Sequence, residues 1–162
     1  MRMAKYGMGV AMLILAFTSA THAQQCLPGG LAVIVNKSNS VESLSMGQLR
    51  KLILGDVRAW QDHKAVALVA RDASSKVFQC ELSSIVRQSA ADYQKYIANA
   101  ELRGDKPIVI QVVDSDEAAA RAVSGSQGAF AVVEANSVAA NGSGVKVIHI
   151  DGKALGQAGY PL

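Results

Sequence analysis

Apolar positions fall along the chain in two rhythms, continuous runs of about five residues and recurrences three and four apart. Leu31-Ala32-Val33-Ile34-Val35 is an unbroken, β-branched run, the pattern of a strand covered on both faces. Asn36 to Ser43 is polar and turn-rich. Ser45 with Gln48 three residues later forms a capping box, and Met46, Leu49, Leu52 and Ile53 then recur at helical spacing until Gly55. Val66 to Ala70 reads as a second buried strand. A longer helix is expected from Ser74 or Ser75 to Arg87, with Phe78, Leu82, Ile85 and Val86 on its apolar face. Another runs from Ala90 to Leu102, with Tyr93, Tyr96, Ile97 and Ala100 on one side and Gly104 as its stop. Pro107 opens a strand from Ile108 to Val113, and Asp114 and Glu117 mark the start of a short Ala-rich helix through Val123. After a turn at Gly125 and Gly128, Ala129–Val133 and Val145–Ile150 are the last strands, joined by a Gly/Asn/Ser loop. Strands alternating with helices predict an α/β fold with a sheet between helical layers.

The first residues follow a different logic. Arg2 and Lys5 precede the uncharged apolar stretch Met8–Phe17, and Thr21-His22-Ala23 is a small-x-small cleavage site. Residues 1–23 therefore read as a secretory signal peptide, leaving one domain over 24–162 in a periplasmic or secreted location. No later segment is apolar enough to span a bilayer, so no stable membrane insertion is expected after cleavage. The chain carries 16 Lys+Arg and 13 Asp+Glu, and losing Arg2 and Lys5 leaves 14 against 13. A near-neutral domain with scattered charge gives no electrostatic case for nucleic acid. Cys26 and Cys80 are the two cysteines. In an oxidising compartment they suit a disulfide tying the N-terminal tail to a helix, and two unpaired thiols are the alternative. Their separation disfavours a C-x-x-C redox centre.

Several segments in order resemble the phosphate-type periplasmic substrate-binding proteins. They are Val33-Ile34-Val35-Asn36, Leu44-Ser45 with Gln48-Leu49, Gly55 and Trp60, and Arg71 with Ser74, Ser75 and Phe78. Gly104 and Pro107, Gly128-Ala129-Phe130, Val145-Lys146 to Asp151-Gly152, and Tyr160-Pro161-Leu162 follow. The likeness covers roughly 31–162 and matches the family's second lobe alone. It implies a three-layer, mostly parallel sheet of about five strands, a single lobe of the class II periplasmic-binding-protein type. It also implies a non-enzymatic binding module for a small oxyanion, phosphate first among them, with contacts at Arg71, Asp72, Ser74 and Ser75.

Those residue types fit that chemistry. A helix start offers free N–H groups and partial positive charge, serines donate further, and arginine presents a planar fork to an oxyanion. Asp72 would accept from a protonated phosphate oxygen. Where the family has serine-glycine-threonine, this chain has Ser74-Ser75-Lys76. The plain alternative is that Ser74 or Ser75 is an ordinary helix cap and Arg71 a surface ion pair. At the level of the whole protein the alternative is an interaction or scaffold protein that has lost ligand binding and uses the lobe face for a homodimer or an envelope protein partner.

Other residues point less sharply. Trp60 reads as packing, and Tyr93 and Tyr96 as core or rim. His63 and His149 lack partners at metal-ligand spacing, so no metal or other cofactor is expected. Asp114, Asp116 and Glu117 read as helix-start carboxylates. Asn36-Lys37-Ser38 and Asn141-Gly142-Ser143 match the glycosylation sequon. No G-x-S-x-G elbow, P-loop or H-E-x-x-H motif occurs.

Overall fold

The computed structural model describes residues 26–105, 108–140, 142 and 144–162, and the side chains of residues 109, 139 and 140 are left undescribed. The expected signal peptide lies outside this range. The described elements in chain order are strands β1 (Leu31–Asn36), β2 (Ser43–Leu44), β3 (Ala67–Arg71), β4 (Val109–Val113), β5 (Ala129–Glu134), β6 (Val145–Val147) and β7 (His149–Ile150). Helices α1 (Met46–Leu54), α2 (Lys76–Glu81), α3 (Ala90–Leu102) and α4 (Asp116–Gly125) lie between them.

The main sheet has the order β4-β3-β5-β1-β6. β3 runs parallel to β4 and β5, whereas β1 is antiparallel to both of its neighbours, β5 and β6. Four strands thus share one direction and β1 opposes them from an interior position, between β5 and the edge strand β6. All six residues of β1 are buried, as its continuous apolar run requires. Alternate strand residues feed two cores. Val33, Val35, Leu68, Phe130 and Val132 face the layer holding α1, α2 and α3. Ala32, Ile34, Val69, Ala129, Ala131 and Val133 face α4 through Ala119, Ala120 and Val123. The small side chains on this second side let α4 lie close to the sheet. The result is the expected three-layer α/β arrangement.

Local chemistry sets the helix ends. Ser45 and Gln48 make the expected reciprocal capping box, and Gly55 ends α1 in the left-handed region at φ 78°. The helix expected from Ser74 or Ser75 to Arg87 begins with Ser75 as cap, and its second half, Leu82–Val86, is wound as a π-helical segment. Ser115, rather than Asp114, caps α4 by accepting from the Ala118 N–H. The expected strand Val145–Ile150 divides in two. β6 pairs with β1, and β7 pairs with β2 in a separate two-stranded sheet.

Cys26 and Cys80 form a disulfide, with Cα atoms 5.6 Å apart, that fastens the residues before β1 to α2. Trp60 is buried, meets Phe130 edge to face at 6.0 Å, and donates from Nε1 to the Gly128 carbonyl at 2.9 Å. Gly128 is required by close approach, since a Cβ there would come within 1.9 Å of the Ala65 carbonyl oxygen.

Candidate functional site

β3 ends at Arg71, and the chain turns through Asp72 to Ser75 before α2 starts. The Asp72 N–H donates to the Val113 carbonyl at 3.0 Å, so the turn sits beside the C-terminal end of β4 as well. Asp72 organises it: its Oδ1 accepts from the N–H and the hydroxyl of Ser74, and its carbonyl accepts from the Ser75 N–H. The Ser74 hydroxyl, then the Ser74 N–H, hold the Asp72 carboxyl below the usual carboxylate range. Ser75 Oγ accepts from the Phe78 N–H at 3.1 Å, the ordinary work of a helix cap. Asp72 and Ser74 are exposed and Ser75 is half-buried.

Arg71 turns away from this loop toward the start of α4. Its Nη1 donates to Asp116 Oδ1 and its Nη2 to the Asp114 carbonyl at 2.8 Å. Asp116 Oδ2 in turn accepts from the Glu134 N–H at 3.0 Å. The side chains of Arg71 and Asp116 are 12% and 9% exposed, so this is a largely desolvated ion pair rather than a surface one. It clamps the C-terminal ends of β3 and β5 to the start of α4. Arg71 Nε is buried without a partner. The structure thus brings Arg71, Asp72, Ser74 and Ser75 to one end of the sheet, where Asp114, Asp116 and Glu117 also gather. It commits the guanidinium fork to Asp116 and the Asp114 carbonyl. The sequence shows both residues, but their pairing across 45 positions leaves no local signal.

An apolar groove of about 410 Å³ opens beside this turn, between β4 and α3, with Phe78, Tyr93, Ile97, Ile110 and Val112 among its lining. Sequence reasoning also missed Glu81. This carboxyl is buried at 1% exposure, has an Oε1 without a partner, and is pushed up to about 8 by desolvation. The spacing Val77-Glu81-Ile85 places it within the apolar arc of its helix, which is the signal that finds it.

His63 and His149 are exposed. Tyr93 is buried and donates to the Ile53 carbonyl at 3.0 Å, and Tyr96 donates to Asp56 at 3.2 Å on the surface. Asn36 is no free acceptor of a glycan: it is 7% exposed and its Nδ2 donates to the Val123 and Ser124 carbonyls, both at 2.9 Å. The second sequon begins at Asn141, outside the described residues. Among the described residues no three metal-ligating side chains cluster, and no helix is long and apolar enough to cross a membrane.

No family model and no curated protein matches the chain by sequence. Solved structures do match its fold. An ABC-type phosphate transport receptor from Vibrio cholerae superposes with a TM-score of 0.58 at 24% identity, over 75% of this chain and 46% of its own. A putative phosphate ABC transporter substrate-binding protein with bound phosphate from Clostridium perfringens gives 0.61 at 17% identity, over 78% and 46%. PstS from Borrelia burgdorferi gives 0.59 at 12% identity, over 76% and 48%. The fold matches one lobe of such a binding protein. The chain spans less than half the length of each of these three structures. At these identities the likeness establishes architecture, and function must be argued from the site.

Proposed function

We propose that the chain is an extracytoplasmic, non-enzymatic binding lobe for a small oxyanion, phosphate first among them, held at the turn Arg71–Ser75. The observation that carries this reading is the placement of that turn. It joins the C-terminal end of a parallel strand to a helix start, within a fold shared with proteins described as phosphate receptors. Ligands of open α/β sheets bind outside the carboxyl ends of strands. The first N–H groups of α2 supply donors, the Ser74 hydroxyl joins them by turning its proton from Asp72 to the anion, and Arg71 supplies positive charge that the anion shares with Asp116. Asp72 accepts from a protonated phosphate oxygen, which selects a monohydrogen or dihydrogen species over sulfate. A turn open to water, with carboxylates around it, gives weak affinity. The proposed domain is 24–162, released from its signal peptide into the periplasm or the medium.

One observation favours a second reading, an interaction module without a small ligand: the Arg71 fork is already filled by Asp116 and the Asp114 carbonyl. Calorimetric titration of the oxidised protein with inorganic phosphate separates the two. The binding reading predicts saturating heat at millimolar phosphate that is lost in Arg71→Ala and weakened in Ser74→Ala. The Ser74 variant removes one exposed hydroxyl and its bond to Asp72 while leaving the Ser74 N–H bond and the Arg71–Asp116 pair in place, so it keeps the test sound if loss of that pair impairs folding. Absence of heat at millimolar phosphate in the unaltered protein overturns the binding reading.

A further inference from the structure

The sheet ends at β4, and among the described residues β4 pairs with β3 alone. Among the described residues no strand pairs with its other edge, which leaves the backbone N–H and C=O groups there without ladder partners. Natural edge strands are usually blunted by charge, proline or a bulge. β4 reads Val-Ile-Gln-Val-Val, without any of these, and Val112 is 61% exposed. An edge left open in this way is a template for another strand.

The apolar groove lies directly against that edge. Its floor includes Phe78, Tyr93 and Ile110, and α3 forms its far wall with Ile97. A strand added to β4 would point every second side chain into this groove. The groove also has charged ends. Asp72 lines it and bonds to the last residue of β4. Glu101 lines it from the last turn of α3, whose neighbouring residues Ala100 and Arg103 share a second cleft with Ile108, just before β4 begins. Carboxylates therefore stand at opposite ends of the strand. Among the described lining residues Arg71 is the one cation, and it is neutralised by Asp116.

From this we infer that the β4 edge and its groove form a docking surface for an extended segment of a partner protein, one that alternates apolar side chains and carries a basic residue at each end. The backbone edge selects an extended chain, the groove selects apolar alternation, and Asp72 and Glu101 select the flanking charge. The inference does not require oxyanion binding, because it rests on the outer edge of β4 and its groove, although Asp72 is shared with the Arg71–Ser75 turn.

The probe is a fluorescent, end-blocked heptapeptide alternating valine and threonine between terminal lysines, with a twin that carries glutamates instead. Anisotropy at low salt should show saturable binding of the lysine peptide at least tenfold tighter than its twin, weakening as salt rises. Amide hydrogen exchange should slow at Val109–Val113. Val112→Lys should lower the affinity about tenfold, whereas Val112→Thr should not, and both changes fall at an exposed position. Equal binding of the two peptides, no binding up to millimolar concentration, or protection elsewhere overturns the inference. Concentration-dependent self-association that protects the same amides without peptide also overturns it, by making a second copy of the chain the occupant.

Discussion

Replacing Glu81 by glutamine tests how the core handles a buried acid. Glu81 follows the disulfide residue Cys80 and ends α2 where the helix becomes π-wound. It is 1% exposed, and no salt bridge among the described residues includes it. Arg50 on α1 spends its Nε on the Ile85 carbonyl at 2.7 Å. Tyr93 on α3 feels the Glu81 charge, but burial is the larger cause that pushes its hydroxyl up. Desolvation alone raises the Glu81 carboxyl from 4.5 to about 8. In the unfolded chain the same carboxyl ionises near its ordinary value. Between these two values the folded state holds one more proton than the unfolded state, so stability falls as pH rises and levels off above about 8. The whole interval is worth about 5 kcal/mol at about 1.4 kcal/mol per pH unit, of which about 3–4 kcal/mol falls between about pH 5 and 8.

Glutamine keeps the shape and cannot ionise. Its buried amide costs the same at every pH, so the comparison rests on the slope and not on absolute stability. Urea unfolding followed by the fluorescence of Trp60, the single and buried tryptophan, reads both proteins across that range. The unaltered protein should lose about 3–4 kcal/mol more than Glu81→Gln between about pH 5 and 8. Parallel pH profiles for the two proteins would refute the reasoning, by showing that the carboxyl is solvated or paired in the folded state.

Two further outcomes follow from the packing. Reducing the Cys26–Cys80 bond, which closes a separation of 54 residues, should cost about 4 kcal/mol by the chain-entropy account; unchanged urea midpoints with and without reductant would contradict it. Gly128→Ala should destabilise by about 3 kcal/mol, because its Cβ meets the backbone oxygen of Ala65 and not a side chain that can move; a midpoint within error of the unaltered protein would refute that contact.

The elements were legible where side-chain pattern and terminus chemistry agree. The apolar run 31–35, the Ser45/Gln48 box and the glycine stop at 55 all appear where the pattern puts them. The reversed direction of β1 was not legible, since a strand buried on both faces carries no sign of which way its neighbours run. The break in the last strand was written in the sequence. Val145 and Val147 keep one alternation, and Ile148 and Ile150 take it up on the opposite phase. Val145 and Val147 pack toward α4, whereas Ile148 and Ile150 enter the other core. The candidate turn was singled out by the family resemblance together with residue types at a helix start. The Asp116 partner of Arg71 was not, because a pair joined only in space leaves no spacing to read.

That pair makes the central claim sharp, since an oxyanion at Arg71–Ser75 must share or displace what Asp116 already holds. Amide-resolved NMR titration of the oxidised protein with inorganic phosphate, at constant pH and ionic strength, tests it most directly. The account predicts saturable shifts concentrated at Asp72 to Val77, with smaller ones at Asp116 and Glu134 as the shared guanidinium adjusts. A spectrum unchanged at millimolar phosphate, or shifts that grow linearly and scatter over the surface, would contradict it.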